Sequence, residues 1–444
     1  KTDAEKFALA LSGYVLGPDA AVSDLSAAAT LWKARDFVQS YLQSDDSDTR
    51  SDLLDKLGAL EIPDDSAQKV STRRLEVVTR LARLMSPPLH EESAKPGEVR
   101  LRRVPDDQNE APTEYAVFLP PEYHPLRSYP AVVALHSGEG PESAVAWCSA
   151  EAARRGYIVI APQYNLPGEA VDYHFSPSEH AAVELSLRDA RRRFAIDSDR
   201  VFLCGQLNGG HMAWDFGVAH PDMFAGVAVV SGLPLKYVIR YLEKNSDRLP
   251  LYVALGDLAP ASNEIVFGTL VKPLIAKGND VTYVEHFKRG LEELPEEAPS
   301  VFDWMDHRPS REPYPKEFDV KTARESDNRF YGIVIHEFAD GRTTSPVAVD
   351  PAGKNLNPAT IKLKSSTLTT PLLLKYEVSG LRRFDVWVSP KFVDVKKRLE
   401  IRVNGRSLKI APKPNLEPLL EDLRIRGDRQ QVYWLKVPVQ LPAA

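Results

Sequence analysis

The sequence predicts an α/β protein, a doubly wound and mostly parallel sheet with an N-terminal helical region and a C-terminal β-sandwich-like domain. Three observations predict this. Between residues 98 and 309, short apolar runs alternate with segments of helical periodicity, and that alternation implies parallel strands joined by right-handed crossovers. Residues 1–97 repeat apolar side chains at helical spacing and lack strand signals. Residues 310–444 break into short strand-like runs separated by turn residues. A chain of 444 residues suits two or three domains, with boundaries near 97 and 309.

Bulk properties exclude several classes. The formal charge of −6, from 56 basic and 62 acidic residues, argues against the basic face that general nucleic-acid binding requires. No apolar stretch is long enough to span a bilayer. Cys148 and Cys204 are too few for a disulfide framework or a cysteine-based zinc site. Two buried thiols are the expectation, a bridge between them the alternative. The chain opens at Lys1 with neither Met nor an apolar leader. Either a signal or pro-segment has been removed or the sequence is part of a longer chain; a removed signal implies a periplasmic or secreted protein, and otherwise a cytoplasmic one is expected.

Helices are expected over 20–42, 51–60 and 72–85, with an acidic break at 43–48 and a turn at Pro63-Asp64-Asp65. Ser86-Pro87-Pro88 stops the last of them. Strands follow at 99–104 and 115–119 around a polar turn, then at 131–135, 157–161, 201–204, 226–230, 251–255 and 281–286. These six are short and apolar, as strands covered on both faces should be. Ser176-Pro177-Ser178-Glu179 supplies an N-cap, a first-turn proline and a capping-box glutamate. The helix it starts carries Arg188, Arg191 and Arg192, read as a solvated face.

Residues 308–315 are rich in proline and charge and read as a linker. Beyond them strands are expected at 331–338, 360–363, 372–378, 383–388, 399–403 and 431–437. Asn404-Gly405 between two of these runs is the strongest short hairpin signal available. Arg426-Gly427-Asp428 spells an adhesion tripeptide, but a turn is the better reading.

The central motif is Gly205-Gln206-Leu207-Asn208-Gly209-Gly210, between the strand at 201–204 and a helix at 211–219. Strand, tight glycine turn and helix are the context of a nucleophile elbow, whose middle residue is normally a serine. Here that residue is Leu207.

The surrounding residues resemble a known family. The run 175–180, Leu187-Arg188-Asp189 and Asp199-Arg200-Val201-Phe202 lead to the elbow, and Ala213-Trp214-Asp215 and Ala219-His220-Pro221 follow it. This resembles the α/β-hydrolases grouped with polyhydroxybutyrate-depolymerase-type esterases and predicted peptidases, including bacterial members with a C-terminal β-domain. The resemblance covers 98–309 and extends to 419–429 and Tyr433-Trp434. It implies a catalytic acid in a Gly-x-x-Asp-Pro pattern, where this chain has Gly256-Asp257-Leu258-Ala259-Pro260. It implies a histidine in a Gly-Arg-Gly-His-Glu turn, where this chain has Lys288-Arg289-Gly290-Leu291-Glu292. Leu207, Ala259 and Leu291 therefore stand where the resemblance places serine, aspartate and histidine.

A triad needs a hydroxyl, an imidazole to take its proton and a carboxylate to orient that imidazole. Losing one member leaves the others poorly paired, at about 1–3 kcal/mol if buried, whereas three apolar replacements remove that penalty. The oxyanion side is less altered: Leu135-His136-Ser137-Gly138 resembles the family's His-Gly loop. With Asn208 and His211 it is expected to line the pocket. His174 and His180 lie in or beside a loop that can reach the pocket mouth, His286 reads as a packed core histidine, and Ser231 or Asp257 are the candidates for relocated roles. No His/Glu spacing on one helix suggests a metal site, and no cofactor is expected.

Three readings compete. The first is an inactive hydrolase homologue acting as a binding or assembly module, with a protein partner, a homo-oligomer, or an apolar or acyl ligand in the old pocket. The second is an active carboxylester or peptide hydrolase with relocated catalytic residues. The third makes residues 320–444 a carbohydrate- or surface-binding module.

Overall fold

The computed structural model describes residues 1–61, 70–89, 95–104, 112–165, 172–238, 244–259, 262–350, 353–366, 372–392, 399–410 and 415–442. Pro260, the turn expected at Pro63-Asp64-Asp65 and most of the polar turn after residue 104 lie outside them.

Four helices open the chain: α1 Asp3–Leu16, α2 Leu25–Gln43, α3 Ser47–Ala59 and α4 Val70–Leu84. The side chains of Thr2, Asp24 and Asp46 accept from backbone amides of the first turns of α1, α2 and α3, satisfying donors that a helix start leaves open. Leu31, Val38, Leu57, Val78 and Leu81 then meet in one apolar core. Leu419, Leu420, Leu423 and Trp434, from the far end of the chain, complete the same core.

The central sheet comprises β1 Val99–Val104, β2 Thr113–Phe118, β3 Tyr129–Leu135, β4 Ile158–Pro162, β5 Ile196–Gln206, β6 Gly226–Val230, β7 Leu251–Gly256 and β8 Val281–His286. Its order is β1-β2-β4-β3-β5-β6-β7-β8, with β2 antiparallel to both neighbours and the pairs from β4 to β8 parallel. The connections carry α5 Pro141–Arg155, α6 Pro177–Arg193, α7 Asn208–Ala219 and α8 Lys272–Ala276, the last preceded by a π-helical stretch at Ser262–Val271. After β8 comes α9, Ala298–Asp306. Val133, Leu203 and Val229 feed one apolar layer, and Val132, Phe202 and Ala228 the other, so both faces are covered. From β3 the chain crosses to β4 on one side and returns to β5 on the other. This reversal opens a crevice at the carboxyl ends of the strands, where open α/β sheets bind ligands.

The remaining strands are β9 Glu317–Thr322, β10 Arg329–Phe330, β11 Ile333–Phe338, β12 Ala359–Ser366, β13 Leu372–Ser379, β14 Leu381–Val388, β15 Leu399–Val403, β16 Arg406–Ile410 and β17 Leu435–Gln440, with α10 Leu416–Arg426 before the last. They form a four-stranded sheet, β10-β11-β14-β17, and a five-stranded one, β16-β15-β13-β12-β9. Both share one core, Phe318, Ile361 and Leu374 meeting Ile333, Phe384 and Val437. Asn404 and Gly405 have φ of 47° and 83° between the paired residues Val403 and Arg406, the positive angles that a two-residue hairpin loop demands.

Two expectations are corrected. Residues 308–315 are no loose linker, because Arg311 and Tyr314 are buried. The basic run of α6 is no solvated face either: Arg191 is 5% exposed, and Arg192 donates to Leu42 O at 3.2 Å. The reason is one buried carboxylate. Asp428 Oδ2 accepts from Arg311 Nη2 at 2.6 Å and lies 3.8 Å from Arg191 Nη2, while Arg311 Nε reaches Asp199 Oδ1 at 3.1 Å. Gly427 caps α10 in a left-handed conformation with φ of 65°, so Arg426-Gly427-Asp428 is a buried turn.

Burial alone would raise the Asp428 carboxyl, but Arg311, Arg191 and Arg426 hold it well below the usual carboxylate range. Its contribution to stability is therefore complete above about pH 4 and is lost as pH falls through the folded value. Asp428→Asn is expected to destabilise the protein by about 3–5 kcal/mol at neutral pH, since it leaves buried arginines unpaired. Urea unfolding at neutral pH and at about pH 3 checks this: the gap between variant and wild type should narrow in acid.

Candidate functional site

The site is built on the close crossing of α7 over the ends of β3 and β5. A Cβ on Gly205 would lie 2.0 Å from Gly209 O, and one on Gly209 would lie 2.2 Å from Leu135 O. One on Gly210 would lie 2.9 Å from the Cα of Gly232. Glycine is therefore required at these positions by contact alone. The crossing forces the chain to turn sharply at Leu207, whose φ is 49° and ψ −115°, a conformation that costs a non-glycine residue about 1–3 kcal/mol. Leu207 N donates to Val230 O at 3.1 Å and Leu207 O accepts from His211 N at 2.8 Å, which fixes the turn at the mouth of α7. A strained residue between a central parallel strand and the following helix, beside the sheet's reversal point, is the geometry of a nucleophile elbow. The fold is that of the α/β-hydrolases.

Leu207, Ala259 and Leu291 follow β5, β7 and β8 respectively, so all three lie at the carboxyl end of the sheet. Ala259 is buried and Leu291 half-buried, and both pack on the apolar cluster that contains Tyr164, Tyr173 and Phe175. Backbone and side-chain bonds tie the loops together. Leu294 N donates to Gln206 Oε1 at 3.2 Å, and Ser137 Oγ donates to Glu293 Oε1 at 2.7 Å. Asp257 N binds His286 O at 3.1 Å, and Leu258 N binds Arg289 O at 2.9 Å.

On the β3 side, His136 is buried and stacks on Tyr164 with ring centroids 4.3 Å apart. Burial pushes its imidazole down to about 4, so it is neutral at physiological pH. Tyr164 Oη donates to His136 O at 2.6 Å. A Cβ on Gly209 would also meet His136 O at 2.7 Å, which sets this loop, through Ser137 and Gly138, directly against the elbow. Asn208 begins α7. His211 Nδ1 accepts from Leu233 N at 2.7 Å, leaving the proton on Nε2; burial lowers its pKa.

Other candidates are drawn elsewhere. His174 is half-exposed beside Glu179. His180, expected near the pocket mouth, is instead a buried residue of α6 that faces Tyr173, Asp215 and Asp327. His286 is not a purely packed core residue, since its Nε2 meets Glu297 Oε2 at 2.8 Å and Glu297 also accepts from Tyr252. Ser231 is fully buried with φ of 50°, and its Oγ has no hydrogen-bond partner among the described residues. Cys148 and Cys204 are free, buried thiols. A cleft of about 510 Å³ lies away from the elbow, where Arg50 and Arg74 face Glu417 and Glu421.

No protein-family model matches the chain, and no curated protein matches it. Among solved structures it is similar to a thermostable esterase at 22% identity and a TM-score of 0.38, over 48% of this chain and 63% of that one, less than two thirds of its length. It is similar to a CE1 ferulic acid esterase from Anaeromyces mucronatus at 13% identity and a TM-score of 0.36, over 49% and 93%. It is also similar to an S-formylglutathione hydrolase from Agrobacterium tumefaciens at 16% and 0.39, over 49% and 97%.

The strain at Leu207 has a measurable sign. At an unstrained site Ala is more stable than Gly by about 0.4–1 kcal/mol, through the unfolded chain. At position 207 the order should reverse, Leu207→Gly exceeding Leu207→Ala by about 1 kcal/mol, as urea unfolding of the two variants will show.

Proposed function

We propose that this chain is a catalytically inactive α/β-hydrolase-fold protein that works as a binding or assembly module. The observation that carries the reading is Leu207 at the strained tip of the elbow. A nucleophile there must be a hydroxyl or thiol within reach of a base, and an isobutyl group offers neither. In this reading Ala259 and Leu291 are the vestigial acid and histidine positions, and their place in the apolar cluster supports it. The retained loop of His136, Ser137 and Gly138, with Asn208, is then a remnant of the oxyanion side. Such a remnant accelerates acyl transfer by about 10³–10⁴ over water, far below productive turnover. The crevice accepts an acyl or other apolar group, and the outer surfaces engage a protein partner or a second copy.

The competing reading is an ester or peptide hydrolase with relocated residues. Its best nucleophile is Ser231, but that hydroxyl is fully buried and no base engages it among the described residues. Of the histidines near the crevice, His211 uses Nδ1 on Leu233 N, and His136 stacks on Tyr164 with neither ring nitrogen hydrogen-bonded among the described residues.

Two measurements separate the readings. A serine-directed phosphonate should leave the wild-type protein unlabelled, and stoichiometric labelling at any serine favours relocation. The combined change Leu207→Ser, Ala259→Asp and Leu291→His should raise hydrolysis of an activated ester by at least about 100-fold over wild type. A folded triple variant without gain would show that the acid and histidine positions are misplaced.

A further inference from the structure

Away from the elbow, two imidazoles and a carboxylate converge in the interior. His180 on α6, His220 at the end of α7 and Asp327 between β9 and β10 are each at least nine-tenths buried. Their atoms His180 Nδ1, His220 Nε2 and Asp327 Oδ1 all lie within 4.8 Å of one another. His180 Nδ1 stands 3.3 Å from Asp327 Oδ1, and His220 Nε2 stands 3.8 Å from that oxygen. Glu184, one turn after His180 on α6, brings Oε1 to 3.4 Å from His220 Nε2. Despite these short separations, neither ring nitrogen makes a hydrogen bond of acceptable geometry. Asp327 Oδ1 does accept from Ser326 Oγ at 3.1 Å.

We propose that His180, His220, Asp327 and Glu184 form a binding site for a divalent zinc-type cation that clamps the C-terminal β-region to the hydrolase sheet. The spacing of His180 Nδ1, His220 Nε2 and Asp327 Oδ1 is that of ligands around one ion, and Glu184 Oε1, at ligand distance from His220 Nε2 but outside that group of three, turns in to complete the set. With bonds of about 2.0–2.1 Å, the ligand atoms of a tetrahedral site lie about 3.3 Å apart, close to the 3.3 and 3.4 Å edges and somewhat shorter than the 3.8 Å one. Two nitrogens and two oxygens suit a first-row transition ion better than calcium or magnesium.

The surroundings supply what a metal-bound histidine needs. His180 Nε2, the nitrogen away from the cluster, lies 2.9 Å from Tyr173 Oη and 3.3 Å from Asp215 Oδ2, the outer contacts that fix tautomer and ring orientation. Arg324 holds Asp215 with two bonds of 2.7 and 3.1 Å, and holds Asp327 Oδ2 at 2.7 Å. That leaves Asp327 Oδ1 turned toward the histidines. The carboxylates of Asp215, Asp327 and Glu184 outnumber the Arg324 guanidinium that holds two of them, with Arg329 also acting on Glu184. Glu184 is partly exposed at 46%, which gives an ion its entry path. The expectation that no His/Glu spacing on one helix suggests a metal site passes over His180 and Glu184, four apart on α6, because the other two ligands come from distant segments and that pair alone is a weak signal.

Metal analysis of the full chain after incubation with zinc and dialysis is expected to find one equivalent per chain. Cobalt substitution should give the intense visible bands of a four-coordinate ion. His220→Ala should weaken zinc binding by roughly 100-fold or more, and Glu184→Gln by roughly 10-fold, while His174→Ala, on the neighbouring loop, leaves it unchanged. Added zinc should raise the melting temperature of wild type and not of His220→Ala. A folded wild-type chain that retains no stoichiometric zinc and gives no cobalt bands overturns the proposal. So does a His220→Ala chain that binds zinc as well as wild type.

Discussion

Where α7 crosses β3 and β5, backbone meets backbone with no room for a Cβ at Gly205, Gly209 or Gly210. The helix can pack against the strand ends only at that distance, and at that distance the intervening residue is driven to positive φ. The strain at Leu207 is thus a consequence of the packing and is independent of what side chain stands there. A serine would carry the same backbone cost. This explains how the elbow persists with an apolar tip: the glycines answer to the fold, and only residue 207 answers to chemistry. The same crossing places the loop after β3 against the elbow, the segment after β8 is tied to it through Leu294 and Gln206, and the loop after β7 is tied to that of β8 through Asp257 and Leu258.

Buried charge does a second kind of organising. Asp428 gathers Arg311 and Arg191, and Arg324 gathers Asp215 and Asp327. Each knot joins the central sheet's helices to the chain beyond residue 309. Such pairs cost desolvation and add little net stability over apolar packing, yet removing one partner is severe. The apolar core shared by the N-terminal helices and α10 adds a hydrophobic term.

The parts of this architecture that depend on local pattern were legible in the sequence. Apolar runs marked the strands of the central sheet, the Ser176 capping box started α6 as expected, and Asn404-Gly405 made its hairpin. The elbow was legible because glycine spacing reports close approach directly. What stayed hidden depends on distant partners. Arg191 looked solvated because a single helix does not reveal that two other segments cover it. Residues 308–315 looked like a linker because proline and charge resemble one, while Arg311 finds its carboxylates 112 and 117 residues away. The segment 317–322 lies in none of the expected strands, although Phe318, Val320 and Thr322 alternate inward as in a half-buried strand. At the site, position along the chain placed Leu207, Ala259 and Leu291 at three strand ends, whereas the fate of His180 was a matter of tertiary packing.

The proposal that the protein lacks a usable nucleophile is tested most directly by steady-state hydrolysis of an activated acetate ester by the unaltered protein, alongside single alanine replacements of Ser137, His211 and Ser231. Slow, non-saturating hydrolysis that no single replacement abolishes is the predicted result. Saturable turnover at about 1 per second or faster, lost on changing one of these side chains, would contradict it.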